Sequence, residues 1–152
     1  MSGFRYTVGS RKFTRTRKSL KKFSFTTTDA TGIEQAFVAA KDCVVEIKPL
    51  NEHAYLRPEY LVVKLSASAG TPTALTVRIA TDAAGDNTFF PDTQATVSDA
   101  ITTANVSTAA YSLQLPYVDT ASAATSFFLF AKADAGTIDI SSADLYCTVE
   151  TF

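Results

Sequence analysis

Residues 59–80 read EYLVVKLSASAGTPTALTVRIA, and two stretches of period two meet there across a turn. In the first, Leu61, Val63 and Leu65 fall on one face and Val62 and Lys64 on the other. In the second, Leu75, Val77 and Ile79 alternate with Thr76, Arg78 and Ala80, and Gly70-Thr71-Pro72 separates the two. Strict alternation over this length marks a strand with one buried face, and a glycine followed closely by a proline marks the turn between strands. Two such strands in succession predict an antiparallel sheet with a core on one side.

The same period extends in both directions. Phe23–Thr27 alternates weakly, Ile33–Ala39 follows Asp29-Ala30-Thr31-Gly32, and Cys43–Lys48 places Cys43, Val45 and Ile47 on one face before Pro49 ends it. Downstream, Tyr111–Leu115 runs to Pro116. Ser126–Ala133 is apolar on both faces, as a central strand under a second layer would be. Thr137–Ile140 and Asp144–Thr151 complete the series, while Thr88–Asn105 is polar, irregular and proline-bearing and reads as a long loop. About eight short strands, no amphipathic helix longer than a turn or two, and turn residues between the strands predict an all-β antiparallel β-sandwich. Eight strands in two sheets is the count of a single jelly roll.

Composition agrees. Phe and Tyr together make seventeen residues, Trp is absent, and apolar residues are 46% of the chain. This is the vocabulary of strands in a chain able to form a core.

Charge divides the chain in two. The first 22 residues carry eight Lys/Arg (Arg5, Arg11, Lys12, Arg15, Arg17, Lys18, Lys21 and Lys22) and no Asp or Glu. The remaining 130 carry six Lys/Arg against fifteen Asp/Glu, so an arm of +8 precedes a body of −9 while the whole chain is −1. We therefore expect two parts, a basic N-terminal arm over residues 1–22 and a β-sandwich body over 23–152. The eight basic residues are candidates for nucleic-acid binding, because a cationic segment displaces counterions from phosphates. Phe4, Tyr6, Phe13 and Phe23, interleaved with them, can stack on unpaired bases. The acidic body would repel phosphate, so the arm alone is expected to reach the polyanion.

Other chemistry is sparse. His53 is the sole histidine, in the segment Asn51-Glu52-His53-Ala54-Tyr55, and no nucleophile, zinc or phosphate-loop motif accompanies it. Cys43 and Cys147, 104 positions apart, could pair across the sheet or stand as two buried thiols. Asp82, Asp86 and Asp92 are weak calcium candidates in one loop, without EF-hand spacing. Asn105-Val106-Ser107 matches a glycosylation sequon. No cofactor is otherwise expected, and an enzyme is disfavoured. The basic N-terminus is not followed by an apolar run, so neither a signal peptide nor a membrane partner is expected.

The arm Arg11-Lys12-Phe13-Thr14-Arg15-Thr16-Arg17-Lys18, followed by a compact eight-strand body, resembles the capsid proteins of very small icosahedral viruses. Satellite viruses of plants and circular single-stranded DNA viruses are the groups to which it is similar. The likeness covers the whole chain in organisation, size and charge, with no signature motif, and this arm is sparser in arginine than many in those groups, which leaves open an arm used mainly to clasp a neighbouring subunit. It implies a coat protein that self-assembles into a small shell, the smallest icosahedral one. The shell would package a single-stranded DNA or RNA genome through the arm, in virions assembled in a host cytoplasm or nucleus. Removing residues 1–22 would then leave the body folded. A competing reading is a phage decoration or tail protein, or a carbohydrate-binding jelly roll, with residues 88–105 and the loop aspartates as its ligand face.

Overall fold

The computed structural model describes residues 17–28, 30–37, 44–47, 54–99, 101–102, 105–119 and 125–151. Nine strands form among them: β1 (Arg17–Ser24), β2 (Val44–Ile47), β3 (Ala54–Ala69), β4 (Ala74–Ala80), β5 (Thr88–Thr96), β6 (Ser107–Ser112), β7 (Val118–Asp119), β8 (Thr125–Ala133) and β9 (Thr137–Thr151). One sheet has the order β1-β9-β3-β6, with the two-residue β7 also paired to β3, and the other has β2-β8-β4-β5. Every pairing is antiparallel. Setting β7 aside, the first strand pairs with the eighth, the second with the seventh, the third with the sixth and the fourth with the fifth. That nesting is the jelly roll expected from the strand count.

The core lies between the sheets. Leu61, Val63 and Leu65 of β3 and Leu145, Cys147 and Val149 of β9 are buried against Leu75, Val77 and Ile79 of β4 and Phe127 and Leu129 of β8. Tyr111 of β6 joins the layers directly, its hydroxyl donating to the Leu75 carbonyl at 2.6 Å. Burial pushes the Tyr111 phenol well above its ordinary range, so it remains a neutral donor.

Three elements differ from the sequence reading because of register shifts, and a fourth, β6, lies earlier than expected, sharing only Tyr111 and Ser112 with the expected strand Tyr111–Leu115. In β9 the inward residues are Ile138 and Ile140, then Ala143, Leu145, Cys147 and Val149. The phase changes from even to odd where the register slips between Ile140 and Ser142. A β-bulge inserts one residue and flips every side chain beyond it, so one strand of 15 residues reads as two in the sequence. The 16-residue β3 behaves likewise. Leu56 is inward before the slip at Tyr146/Cys147 and Leu61 after it, which hides residues 54–58 from a search for alternation. Pro58 lies at that slip, opposite Cys147, between the stretches paired with β7 and with β6, a place that tolerates a missing N–H. Residues 88–96, read as loop, form the edge strand β5, whose register shifts around Pro91 between Phe90 and Thr93. Of the expected strand Ile33–Ala39, the described residues contribute a single bridge, Ile33 to Ile138.

The expected boundary between arm and body falls inside a strand. β1 starts at Arg17 and pairs along its whole length with β9, from Arg17 opposite Thr151 to Ser24 opposite Asp144. The second half of the basic segment is thus an edge strand of the sandwich.

The turns β3–β4 and β8–β9 each cross from one sheet to the other, and they are pressed together. A Cβ on Gly70 would lie 2.8 Å from Gly136 Cα. Beside them the Asp134 carboxylate accepts from Thr73 N–H at 2.9 Å, Thr73 hydroxyl at 2.6 Å and Ala74 N–H at 3.2 Å. Burial raises the Asp134 carboxyl, but these hydrogen bonds outweigh it and hold the group below its ordinary value. A depressed folded-state value means the stabilisation is present above the unfolded value of about 3.9 and is lost as pH falls through the folded one. Asp134→Ala should therefore cost about 1–2 kcal/mol at neutral pH, a figure kept low by the exposure of the carboxylate. The difference from wild type should begin to narrow only below about pH 4 and continue to shrink as pH falls further, as measured by urea unfolding across pH.

Candidate nucleic-acid interface

Of the eight basic candidates, Arg5, Arg11, Lys12 and Arg15 lie outside the described residues. Arg17, Lys18, Lys21 and Lys22 are brought together on β1. Directly opposed residues of an antiparallel pair point to the same side. Lys21, opposite the buried Cys147, therefore faces the inner side at the open edge of the sandwich. Lys18, opposite Glu150, and Lys22, opposite Tyr146, face outward. All three lysines are exposed. Among the described residues β1 is the last strand of its sheet, and lysines along such an edge discourage strand addition, so the charge has a structural use as well.

The outer face of this five-stranded sheet carries groups the sequence reading passed over. Register places Lys22, Tyr146, Tyr60 and Ser112 in one row across four strands. Tyr60 is 52% exposed and Tyr55, five residues away on β3, 39%. Arg57 stacks its guanidinium 5.0 Å from the centre of the Tyr117 ring and pairs with Glu59 at 3.5 Å. Glu59 also accepts from the Thr148 hydroxyl. A cleft of about 510 Å³ opens here, lined by Arg57, Glu59, Leu113, Gln114, Leu115 and Pro116. Tyr55, Tyr60 and Tyr146 lie outward on β3 and β9, while Phe127 of β8 and Phe90 of β5 point into the core. Residue type alone does not mark this face, since Tyr111 is buried in the core and Phe130 lies on the other outer face.

The other outer face is built differently. Arg78 and Asp92 form a two-pronged ion pair at 2.6 and 3.1 Å. The Phe37 ring covers both Arg78, at 4.4 Å, and Lys132, at 4.8 Å. The hydrogen bond from Arg78 is the main reason the Asp92 carboxyl is held below its ordinary range. Phe130 shares this face yet is 4% exposed, because Gly85 packs on its ring.

The calcium candidates are not assembled as a ligand set. Asp82 accepts from Asp86 N–H at 3.2 Å and Asn87 N–H at 2.8 Å, the turn-forming use of aspartate, and Asp92 is engaged by Arg78. Among the described residues no group of three or more His, Cys, Asp and Glu side chains could hold a metal ion. Asn105 accepts from Thr102 N–H and hydroxyl at 3.1 and 2.8 Å. The buried Ser107 hydroxyl donates to Asp99 C=O at 2.7 Å and accepts from its N–H at 2.9 Å. The sequon thus serves as turn chemistry. Cys147 is a buried free thiol, pushed up to about 12 by burial and by the nearby Glu59 charge. Cys43 and His53 lie outside the described residues.

No protein-family model matches the chain, and no curated protein matches its sequence. Among solved structures it is similar to the giant freshwater prawn Macrobrachium rosenbergii extra small virus particle, at TM-score 0.42 and 10% identity, over 96% of this chain and 87% of that one. It is also similar to the cocksfoot mottle virus structure, at TM-score 0.35 and 12% identity, over 95% and 91% of the two chains. For the infectious bursal disease virus VP2 subviral particle the values are TM-score 0.39, 13% identity and 90% of this chain, which spans 33% of that one.

Proposed function

We propose that this chain is a structural, non-catalytic viral coat protein. Copies of it assemble into a small closed shell that holds a single-stranded nucleic acid through the basic N-terminal segment. One observation carries the reading: all eight basic residues of the first 22 precede or form the edge strand of a jelly roll whose remainder is acidic. A flexible cationic tail alone would fit a localisation signal equally well. A cationic segment continuous with the first strand ties the polyanion mechanically to the wall of the sandwich, as packaging requires. The decoration or sugar-binding alternative loses support, because residues 88–96, half of its expected ligand loop, are a paired strand.

Expression of the full chain, followed by size-exclusion chromatography with absorbance at 260 and 280 nm and negative-stain imaging, tests the proposal. Uniform spheres with a nucleic-acid-rich absorbance ratio are expected. A clean monomer carrying no nucleic acid would overturn it.

A further inference from the structure

We infer that the outer face of the five-stranded sheet is a base-stacking surface for single-stranded nucleic acid, with Tyr60 and Tyr146 as its platform and Lys22 and Lys64 as its flanking charges. The inference rests on the proposed packaging role and extends it from the N-terminal segment to the body, which the net charge of −9 had seemed to exclude.

The local arrangement differs from that net charge. Of the carboxylates on or beside this face, Glu59 and Glu150 have cationic neighbours, while Asp144 and Asp139 are held by neutral donors. Asp144 accepts from Ser24 at 2.7 Å, Asp139 accepts from Gly32 N–H at 2.8 Å, and Glu59 takes Arg57 and Thr148. Glu150 stands opposite Lys18. Lys22 and Lys64 are exposed and enter no ion pair among the described residues. Their strand neighbours are Tyr146 for Lys22, and Ser142 and Thr108 for Lys64. Lys64 lies four residues beyond Tyr60 on β3, about 13 Å along the strand. Two cations therefore bracket a pair of directly opposed tyrosines.

Tyrosines on a flat sheet face offer π surfaces that any base can cover, and neighbouring cations hold the backbone. The tyrosine pair could also serve only to stabilise the sheet, as cross-strand aromatic pairs do, but that would not explain a ring left 52% exposed on a face that also carries Lys22 and Lys64. Position argues the same way. β1 carries Lys18 and Lys22 onto this face, so a polyanion gathered by the N-terminal segment is delivered to its edge.

The test uses the full chain and a short single-stranded oligothymidylate, with affinity measured by anisotropy across a salt series and contacts mapped by ultraviolet crosslinking. Y60L/Y146L should weaken binding roughly tenfold or more without changing the slope of log K against log salt, whereas Y60F/Y146F should bind as wild type. K22Q/K64Q, confined to exposed side chains, should lower that slope by about 0.7 per charge. Crosslinks should fall on Tyr60 and Tyr146. Wild-type affinity in Y60L/Y146L with crosslinks confined to residues 1–16 would overturn the inference and leave the packaging proposal standing. Lost particle assembly with oligonucleotide affinity intact would also overturn it, assigning the face to contact with a second copy. Absence of binding by the wild-type chain would overturn both.

Discussion

Gly136→Ala should lower the melting temperature by at least ~10 °C, while Gly32→Ala lowers it by only a few degrees. Both glycines have positive φ, +60° at Gly136 and +64° at Gly32, so both variants incur the left-handed cost of about 1–2 kcal/mol. They differ in space. A Cβ on Gly32 meets nothing within 4 Å, whereas one on Gly136 would lie 2.2 Å from the Ala69 carbonyl oxygen and 3.0 Å from Gly70 Cα. Those neighbours are backbone atoms in a turn that closes against its own, and Ala69 is the register partner of Thr137. Relief would have to separate β3 from β9 at the corner where both sheets are joined. Losses above ~4 kcal/mol come from mechanisms of this kind, and they are a large share of a typical domain stability of ~5–15 kcal/mol. Thermal unfolding of both variants by far-ultraviolet circular dichroism decides it. Equal shifts would mean that the contact between the turns contributes nothing beyond backbone conformation.

The corner also shows what the sequence could and could not disclose. Gly70-Thr71-Pro72 and Asp134-Ala135-Gly136 are legible as turns, because their residues favour turn geometry wherever they occur. That the two turns touch follows only from topology. β4 is legible because its inward residues Leu75, Val77 and Ile79 keep one phase, and β8 because it is apolar on both faces, whereas β6 (Ser107–Ser112) shares only Tyr111 and Ser112 with the strand expected at Tyr111–Leu115. β5 and the first residues of β3 were missed and β9 was divided because a bulge changes the phase inside each, and a window searching for alternation reads a phase change as a boundary. The candidate site divides similarly. Charge segregation is a property of composition, so the basic segment was evident. The row Lys22–Tyr146–Tyr60 joins residues more than 120 positions apart through the register of three strands, and no local pattern encodes it.

The largest functional effect should come from the basic segment, and the structure decides how it has to be tested. Removing residues 1–22 would delete most of β1, which begins at Arg17, and leave the end of β9 as a bare edge with Cys147 and Val149 uncovered on one side. That deletion is expected to aggregate and would confound loss of charge with loss of fold. Substitution separates them. With all eight charges engaged on a single strand, log K should fall with log salt with a slope near ~6. Arg5, Arg11, Lys12 and Arg15 replaced together by Gln should reduce the slope to roughly 3, with the melting temperature unchanged because β1 is intact. At physiological salt the binding constant should then drop by orders of magnitude, and particles, where they form, should carry little nucleic acid. Substituting Arg17, Lys18, Lys21 and Lys22 should remove a similar share of the slope but also strip the edge of the charges that keep it from pairing with another strand. The first set should therefore yield empty or unstable shells of well-folded subunits, and the second should add concentration-dependent association of free subunits. Salt series and sedimentation on the two sets read these outcomes independently. Should the first set leave the slope near its full value, the polyanion would be held by the body instead of by the segment ahead of it.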